Sequence, residues 1–176
     1  MQIELRIFEV EAGMRCNALE HLATLPALGR YLSFRDDKTF AAFYDSGTDV
    51  DRMIASAPLP IEQRAVRRLV PAAGSTITDV AGFAKIDTPV LEIRQYRIAR
   101  GQRARFATFF HDRTLEAQTA CGIRVFGQFD DLDDETNFVW MRGFPDLFAR
   151  EQSKAAFYQS ALWLNDLEAE AFSMIE

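Results

Sequence analysis

Apolar and polar side chains alternate from Ile3 to Val10, the period of a half-buried strand. Gly13 ends the alternation, and Met14, Ala18, Leu22 and Leu25 then recur at helical spacing, predicting a helix over Met14 to Leu25. Arg30 to Phe34 and Thr39 to Tyr44 read as a hairpin around the turn "RDDK", and Val50 to Ala57 as a helix stopped by Pro58 and Pro60. Residues 58 to 88 are the least patterned. Arg64 to Val70 reads as helical, and a fourth strand falls at Ser75 to Asp79 or at Phe83 to Ile86. The order then starts again. Val90 to Ile98 is a strand and Gln102 to Ala120 a helix with an aromatic stripe, stopped by Gly122. Ile123 to Phe129 and Asn137 to Arg142 are strands joined by the turn "DDLDDET". Asp146 to Tyr158 is a helix, and so is Trp163 to Phe172.

The two halves are related in sequence. "IELRIFEVEAG" returns as "LEIRQYRIARG": Glu4, Arg6 and Gly13 recur as Glu92, Arg94 and Gly101, an offset of 88 residues. Each half reads strand-helix-strand-strand-helix-strand, the ferredoxin-like unit. No last strand is read in "FSMIE" at the end of the second half, and it is expected either to be missing or to lie in a disordered or trimmed tail. The expected fold class is α+β, a tandem duplication of ferredoxin-like repeats closing an intramolecular α+β barrel. The expected domains are residues 1–88 and 89–176.

Strand residues two apart share a face. Leu91 and Ile93 therefore point one way, and Glu92, Arg94 and Tyr96 the other. Helices cover apolar surface, so the polar row is expected to face an opposing sheet. Phe138, Trp140 and Arg142 join it from one neighbouring strand, and Arg124, Phe126 and Gln128 from the other. Buried charge has to be paired. Glu92 with Arg94 or Arg142 meets that need without any ligand, which is the architectural reading. The functional reading is an aromatic pocket with a few convergent polar groups.

Composition narrows the classes. Hydrophobic residues make up 48% of the 176 residues, enough for packed cores, and fifteen are phenylalanine. A net charge of −6 argues against nucleic acid and anionic lipid as partners. Cys16 and Cys121 stand alone, and His21 and His111 are the only histidines, so the usual zinc clusters are excluded. Two lone cysteines suggest a reducing compartment, and a cytoplasmic location is expected. No apolar run approaches the roughly 20 residues of a spanning helix, and the first residues lack the pattern of a signal peptide. Walker A, GxGxxG and GxSxG motifs are absent, so nucleotide binding and serine hydrolysis have no support.

The strings "LEIRQYRIARGQ", "EAQTACGIRVFGQFDDLDDETNFVWMRGFPDL" and "AAFYQSALW" resemble the NIPSNAP family, from about Val90 to Trp163. The first half resembles it weakly, through "IELRIFEVEAG" and "KTFAAFY". There Phe40 corresponds to Phe138, but Ala42 and Tyr44 replace Trp140 and Arg142. The resemblance implies the dimeric α+β-barrel fold of ferredoxin-like units. It implies no agreed activity, because the wider superfamily spans cofactor-free monooxygenases, lactone isomerases, polyketide cyclases and haem enzymes. The Trp-Arg pair is confined to the second repeat, which favours one working site per chain, covered by a degenerate first half.

Arg94 and Arg142 are expected to hold an oxyanion or carboxylate, and Tyr96 or Glu92 to move a proton. Phe138 and Trp140 are expected to wall the site, with Arg124, Gln128 and His111 as further contacts. Of Glu116 and Gln118, two apart on a helix, one faces solvent. Asp130 to Glu135 reads as a solvated hairpin turn, lacking the glycine and spacing of a calcium loop. Tyr158 and Trp163 pack a barrel mouth. No metal and no cofactor is expected. The expected ligand is a small apolar or aromatic molecule, and cofactor-free oxygenation, isomerisation or cyclisation its chemistry. The alternative is a non-catalytic scaffold or partner-binding module. Homodimerisation through remaining sheet edges or helices is also expected.

Overall fold

The computed structural model describes residues 1–176. The chain divides into two compact units, Met1–Leu69 and Val70–Glu176. Residues 70 to 88, placed by sequence in the first repeat, cluster with the second unit. Backbone bonding and ring contacts hold them there. The Ala72 N–H donates to the Gln128 carbonyl at 2.9 Å, the Gln128 N–H donates to Ser75 Oγ at 3.1 Å, and Phe83 stacks on Phe129 at 6.2 Å.

The first unit runs β1 (Ile3–Glu9), α1 (Arg15–Leu22), β2 (Ala27–Leu32), β3 (Thr39–Asp45), α2 (Val50–Ala55) and β4 (Glu62–Pro71). Its sheet has the order β2-β3-β1-β4 with every pair antiparallel, the ferredoxin-like order. Phe8 and Phe40 stack at 4.9 Å and pack with Ala18 and Leu22 of α1 and Val50 of α2. The Asp36 carboxylate closes the β2–β3 turn by accepting from the Lys38 and Thr39 N–H groups, at 2.9 and 2.6 Å.

β4 corrects two expectations. Arg64 to Val70 is strand, not helix, and residues 80 to 85 are a short 3-10 helix, not strand. The reason is tertiary. β1 has a second edge of backbone donors and acceptors, and β4 pairs with it from Glu9↔Glu62 to Ile3↔Leu69. That ladder overrides the local preference of "RAVRRLV".

The second unit runs β5 (Val90–Arg97), α3 (Arg103–Phe109), α4 (Leu115–Ala120), β6 (Arg124–Asp131), β7 (Asn137–Phe144), α5 (Leu147–Tyr158) and α6 (Glu168–Phe172). Its sheet has the order β6-β7-β5, again antiparallel. The long helix expected from Gln102 to Ala120 is present, but a π-helical turn over Phe110–Thr114 divides it into α3 and α4. A second π turn, Trp163–Leu167, leads into α6. Gly122 ends α4 at φ +80°, the left-handed conformation glycine adopts without strain. The final residues begin a ladder on β5: Ile98 bridges Ile175, and the Glu176 N–H donates to the Arg97 carbonyl at 2.8 Å.

α5 begins on Asp146, whose side chain accepts from the Ala149 N–H at 2.7 Å. Asp146→Ala leaves that donor without its cap, and the expected loss is about 1 kcal/mol. A thermal melt of the full chain checks it; an unchanged Tm would show that water replaces the cap at no cost.

Candidate functional site

The β5–β7 register places Glu92 opposite Arg142, Arg94 opposite Trp140, and Tyr96 opposite Phe138. These six side chains share one sheet face. In the first unit Glu4, Arg6 and Phe8 oppose Tyr44, Ala42 and Phe40 in the same register, so the duplication extends to cross-strand pairs.

The face they occupy is the reverse of the expected one. Phe138, Trp140 and Phe144 are buried against Phe106, Phe109 and Phe110 of the first helical layer and against Phe157 and Trp163. The Glu-Arg-Tyr row therefore lies beneath the helices, and the aliphatic row of Leu91 and Ile93 lies on the other side. The physical reason is that these helices bring aromatic rings and an arginine to the sheet. Phe106 meets Phe138 edge-on at 5.1 Å, Phe110 meets Trp140 at 4.7 Å, and Arg150 of α5 reaches Glu92. An aromatic and charged row is the better partner for that layer.

Part of the row is architectural. Glu92 accepts from Arg142 Nε at 2.5 Å and from Arg150 Nε at 2.5 Å, one on each oxygen. Arg142 is fully buried, bonds the Tyr158 phenol at 3.3 Å and stacks over the Trp140 ring at 5.1 Å. Burial opposes ionisation of Glu92, but the two guanidiniums outweigh it, and its pKa lies below the ordinary carboxylate value.

Arg94 is different. Its one side-chain hydrogen bond goes to the Tyr96 phenol oxygen at 3.3 Å, and it forms no ion pair, because Arg142 and Arg150 take Glu92. Its counterpart in the first unit, Arg6, bonds Glu4 Oε2 at 2.8 Å, Asp51 Oδ1 at 2.5 Å and Gln63 Oε1 at 2.5 Å. One repeat satisfies its arginine and the other leaves it open. Burial raises the Tyr96 pKa, so its phenol stays protonated at neutral pH and is a proton donor.

Arg94, Tyr96 and Trp140 line a cavity of about 320 Å³ inside the second unit, with Gln118, Tyr158 and Trp163. The volume lies at the lower end of small-molecule sites. Both π turns border it, through Phe110 and Thr114 and through Trp163, and π turns occur often at functional sites. Glu168, the one carboxylate on the wall, accepts from the Trp163 indole N–H at 3.1 Å. Trp140 Nε1 and Gln118 Oε1 are buried without a partner.

The other expected site residues stand outside the wall. Glu92, Arg142 and Phe138 are buried beside the cavity in the ion-pair network and the aromatic core. Gln128 is fully buried opposite Trp140 on β6 and is not part of the wall, with neither amide atom bonded. Arg124 donates to the Asp87 carbonyl at 2.6 Å on the outside of the unit. His111 is exposed against the Gly74 turn, where a Cβ on that glycine would lie 2.5 Å from Nδ1. Of the ExQ pair Glu116 is exposed and Gln118 buried. Gln118 and Thr114 were not expected in the wall. Their signal is the spacing Phe110, Thr114, Gln118, one polar-ended stripe along a helix, visible once the covered face is known.

The topology of each unit, an antiparallel sheet in ferredoxin-like order with helices on one face, defines an α+β protein of the ferredoxin-like class. Within it, residues 91–176 match the model of the NIPSNAP family. An uncharacterised NIPSNAP domain protein from Burkholderia xenovorans is 20% identical, with a TM-score of 0.45, covering 49% of this chain and 83% of that one. A candidate monooxygenase from Lactobacillus acidophilus NCFM aligns at a TM-score of 0.62 and 10% identity over 100% of this chain and 90% of its own. A mutant chlorite dismutase from Candidatus Nitrospira defluvii aligns at 0.57 and 10% identity, over 99% and 85%. At 10% identity the likeness to the last two is one of fold. No curated protein matches the chain in sequence. No helix is long and apolar enough to cross a membrane.

Proposed function

We propose that the cavity of the second unit binds a small aromatic organic molecule carrying an acidic oxygen, and that Arg94 is the group that holds it. The observation that carries this reading is the guanidinium without a carboxylate, in an aromatic cavity, in the repeat whose sister arginine is fully paired. An anionic oxygen on the ligand supplies the missing charge. Aromatic walls supply stacking and exclude water. The chemistry this supports is cofactor-free oxygenation, isomerisation or cyclisation. Arg94 stabilises negative charge as it develops on the ligand oxygen. Tyr96 delivers or accepts the proton; Glu92 is less suited, since both its oxygens are engaged by arginine. Two copies assembling as a homodimer and a reducing, cytoplasmic setting belong to the same reading. The free thiols of Cys16 and Cys121 agree with the setting, and sedimentation of the purified chain tests the assembly.

Both tryptophans of the chain line the cavity, so intrinsic fluorescence reports binding directly. Titration with trans-cinnamate should quench it, and the neutral cinnamyl alcohol should bind at least tenfold more weakly. Arg94→Met should lower cinnamate affinity by roughly 10- to 100-fold, the value of a charge-assisted hydrogen bond. Equal binding of acid and alcohol, or an unaffected Arg94→Met variant, would overturn the role of Arg94. A non-catalytic partner module draws on another observation, the exposure of Leu147 and Phe148 at the start of α5. That reading predicts no quenching by either compound.

A further inference from the structure

The wall of the cavity carries a second pair of polar groups that the acid-binding reading does not use. Trp140 is 1% exposed and Gln118 2% exposed, yet the indole N–H and the Gln118 carbonyl oxygen have no hydrogen-bond partner. The other ends of both side chains are accounted for. Gln118 Nε2 donates to Thr114 Oγ1 at 3.3 Å, Thr114 Oγ1 in turn donates to the Phe110 carbonyl at 2.7 Å, and the Trp140 ring is packed by Phe110 at 4.7 Å and Tyr96 at 5.9 Å. That relay leaves the Gln118 oxygen as the free end of the amide. Trp163, the other indole on the wall, is satisfied by Glu168. A buried donor and a buried acceptor without partners are each unfavourable, by enough that folded proteins rarely leave them so.

Gln118 lies across the sheet from Arg94, with Trp140 between them. Arg94 is on β5, the edge of the unit's sheet; Trp140 is on β7 beside it; Gln118 is on α4, which packs over β6, the next strand. Gln118 thus stands over a strand two positions across the sheet from the one that carries Arg94, neighbouring strands being about 4.8 Å apart. A hydroxyl has the two functions these groups lack, because its oxygen accepts one hydrogen bond and its proton donates another.

We propose, building on the reading of the cavity as a site for aromatic acids, that its ligand is an elongated hydroxyaryl acid. Its acid group meets Arg94, and its distal hydroxyl accepts from Trp140 Nε1 and donates to Gln118 Oε1. Gln118 and Trp140 then determine specificity, for a physical reason: a site built around a hydroxyl strands its own polar groups when an analogue lacks one. An apolar group of equal size fills the space and leaves both unpaired.

Calorimetric titration of the wild-type chain with para-hydroxycinnamate and with para-methylcinnamate tests this, since hydroxyl and methyl are close in size. The hydroxy compound should bind at least about 100-fold more tightly. Gln118→Leu should abolish most of that preference by weakening the hydroxy compound alone, and Trp140→Phe should reduce it. Both variants keep the apolar bulk of the site, and Gln118→Leu removes an unpaired buried oxygen. If both compounds bind wild type with equal affinity, the acid-binding reading stands and the hydroxyl reading is overturned. If neither binds, both readings fall. A preference for the hydroxy compound that survives Gln118→Leu unchanged also overturns the assignment of Gln118.

Discussion

Glu92→Ala should destabilise the protein by about 3–5 kcal/mol, the cost of removing one partner from a buried ion pair. Arg142 is fully buried, and its Nε bonds Glu92 at 2.5 Å. Without Glu92 that charge keeps only the Tyr158 phenol and the faces of Trp140, Phe144 and Tyr158. Urea unfolding of the full chain measures the loss, and a loss under about 1 kcal/mol would show that water reaches Arg142. The double variant Glu92→Leu with Arg142→Met should recover much of it, because an apolar pair of similar volume has no charge to solvate. The pH dependence has a definite sign. Glu92 has a folded pKa below its ordinary value of 4.5. Its contribution is therefore complete above the unfolded pKa and is lost as pH falls through the depressed folded pKa. The stability gap between wild type and Glu92→Ala should be widest near neutrality and should narrow on acidification below about pH 4.5. A gap independent of pH down to the acid transition would mean that Glu92 acts by packing and not by charge.

Phe106→Ala is the second large effect, with an expected loss of about 3–5 kcal/mol. Its ring is the meeting point of the helical layer and the sheet: Tyr96 at 6.0 Å, Phe138 at 5.1 Å, and Phe109 and Phe110 at 6.2 Å each. Truncation removes transfer energy and leaves a void that its neighbours, themselves rings on fixed strands and helices, fill poorly. Phe106 also borders the cavity, so the variant should bind trans-cinnamate more weakly at the same time. Urea unfolding and the fluorescence titration separate the two effects. Full stability with weakened binding would show that the ring serves the ligand and not the fold.

The duplication was legible because repeated strands keep their sequence. Glu4, Arg6 and Phe8 correspond to Glu92, Arg94 and Tyr96, and the cross-strand register bears this out pair by pair. Turn and cap chemistry was legible in Gly122 and in Asp133 to Glu135, but the solvated turn expected from Asp130 onward starts later: Asp130 and Asp131 belong to β6, and Asp131 is buried, accepting from Asn137 Nδ2 at 2.8 Å. β4 was not, since "RAVRRLV" becomes a strand through its pairing with β1. Nor were the π turns at Phe110 and Trp163, which insert one residue's worth of slack into helices that read as regular. Gln118 was noticed without a role, because its burial depends on which helix face the sheet covers.

What the sequence determined by itself is which side chains travel together. Period-two alternation makes Glu92, Arg94 and Tyr96 neighbours on one face in any fold that keeps β5 a strand. What the tertiary structure decided is what that face meets. Alternation is symmetric between the two sides of a sheet, and both rows of β5 contain groups that can be buried. The choice fell to the covering layer, whose rings at Phe106 and Phe110 and whose guanidinium at Arg150 match the aromatic and carboxylate row. By giving Arg142 and Arg150 to Glu92, the same packing left Arg94 without a counter-ion, and no pattern along the chain encodes that outcome.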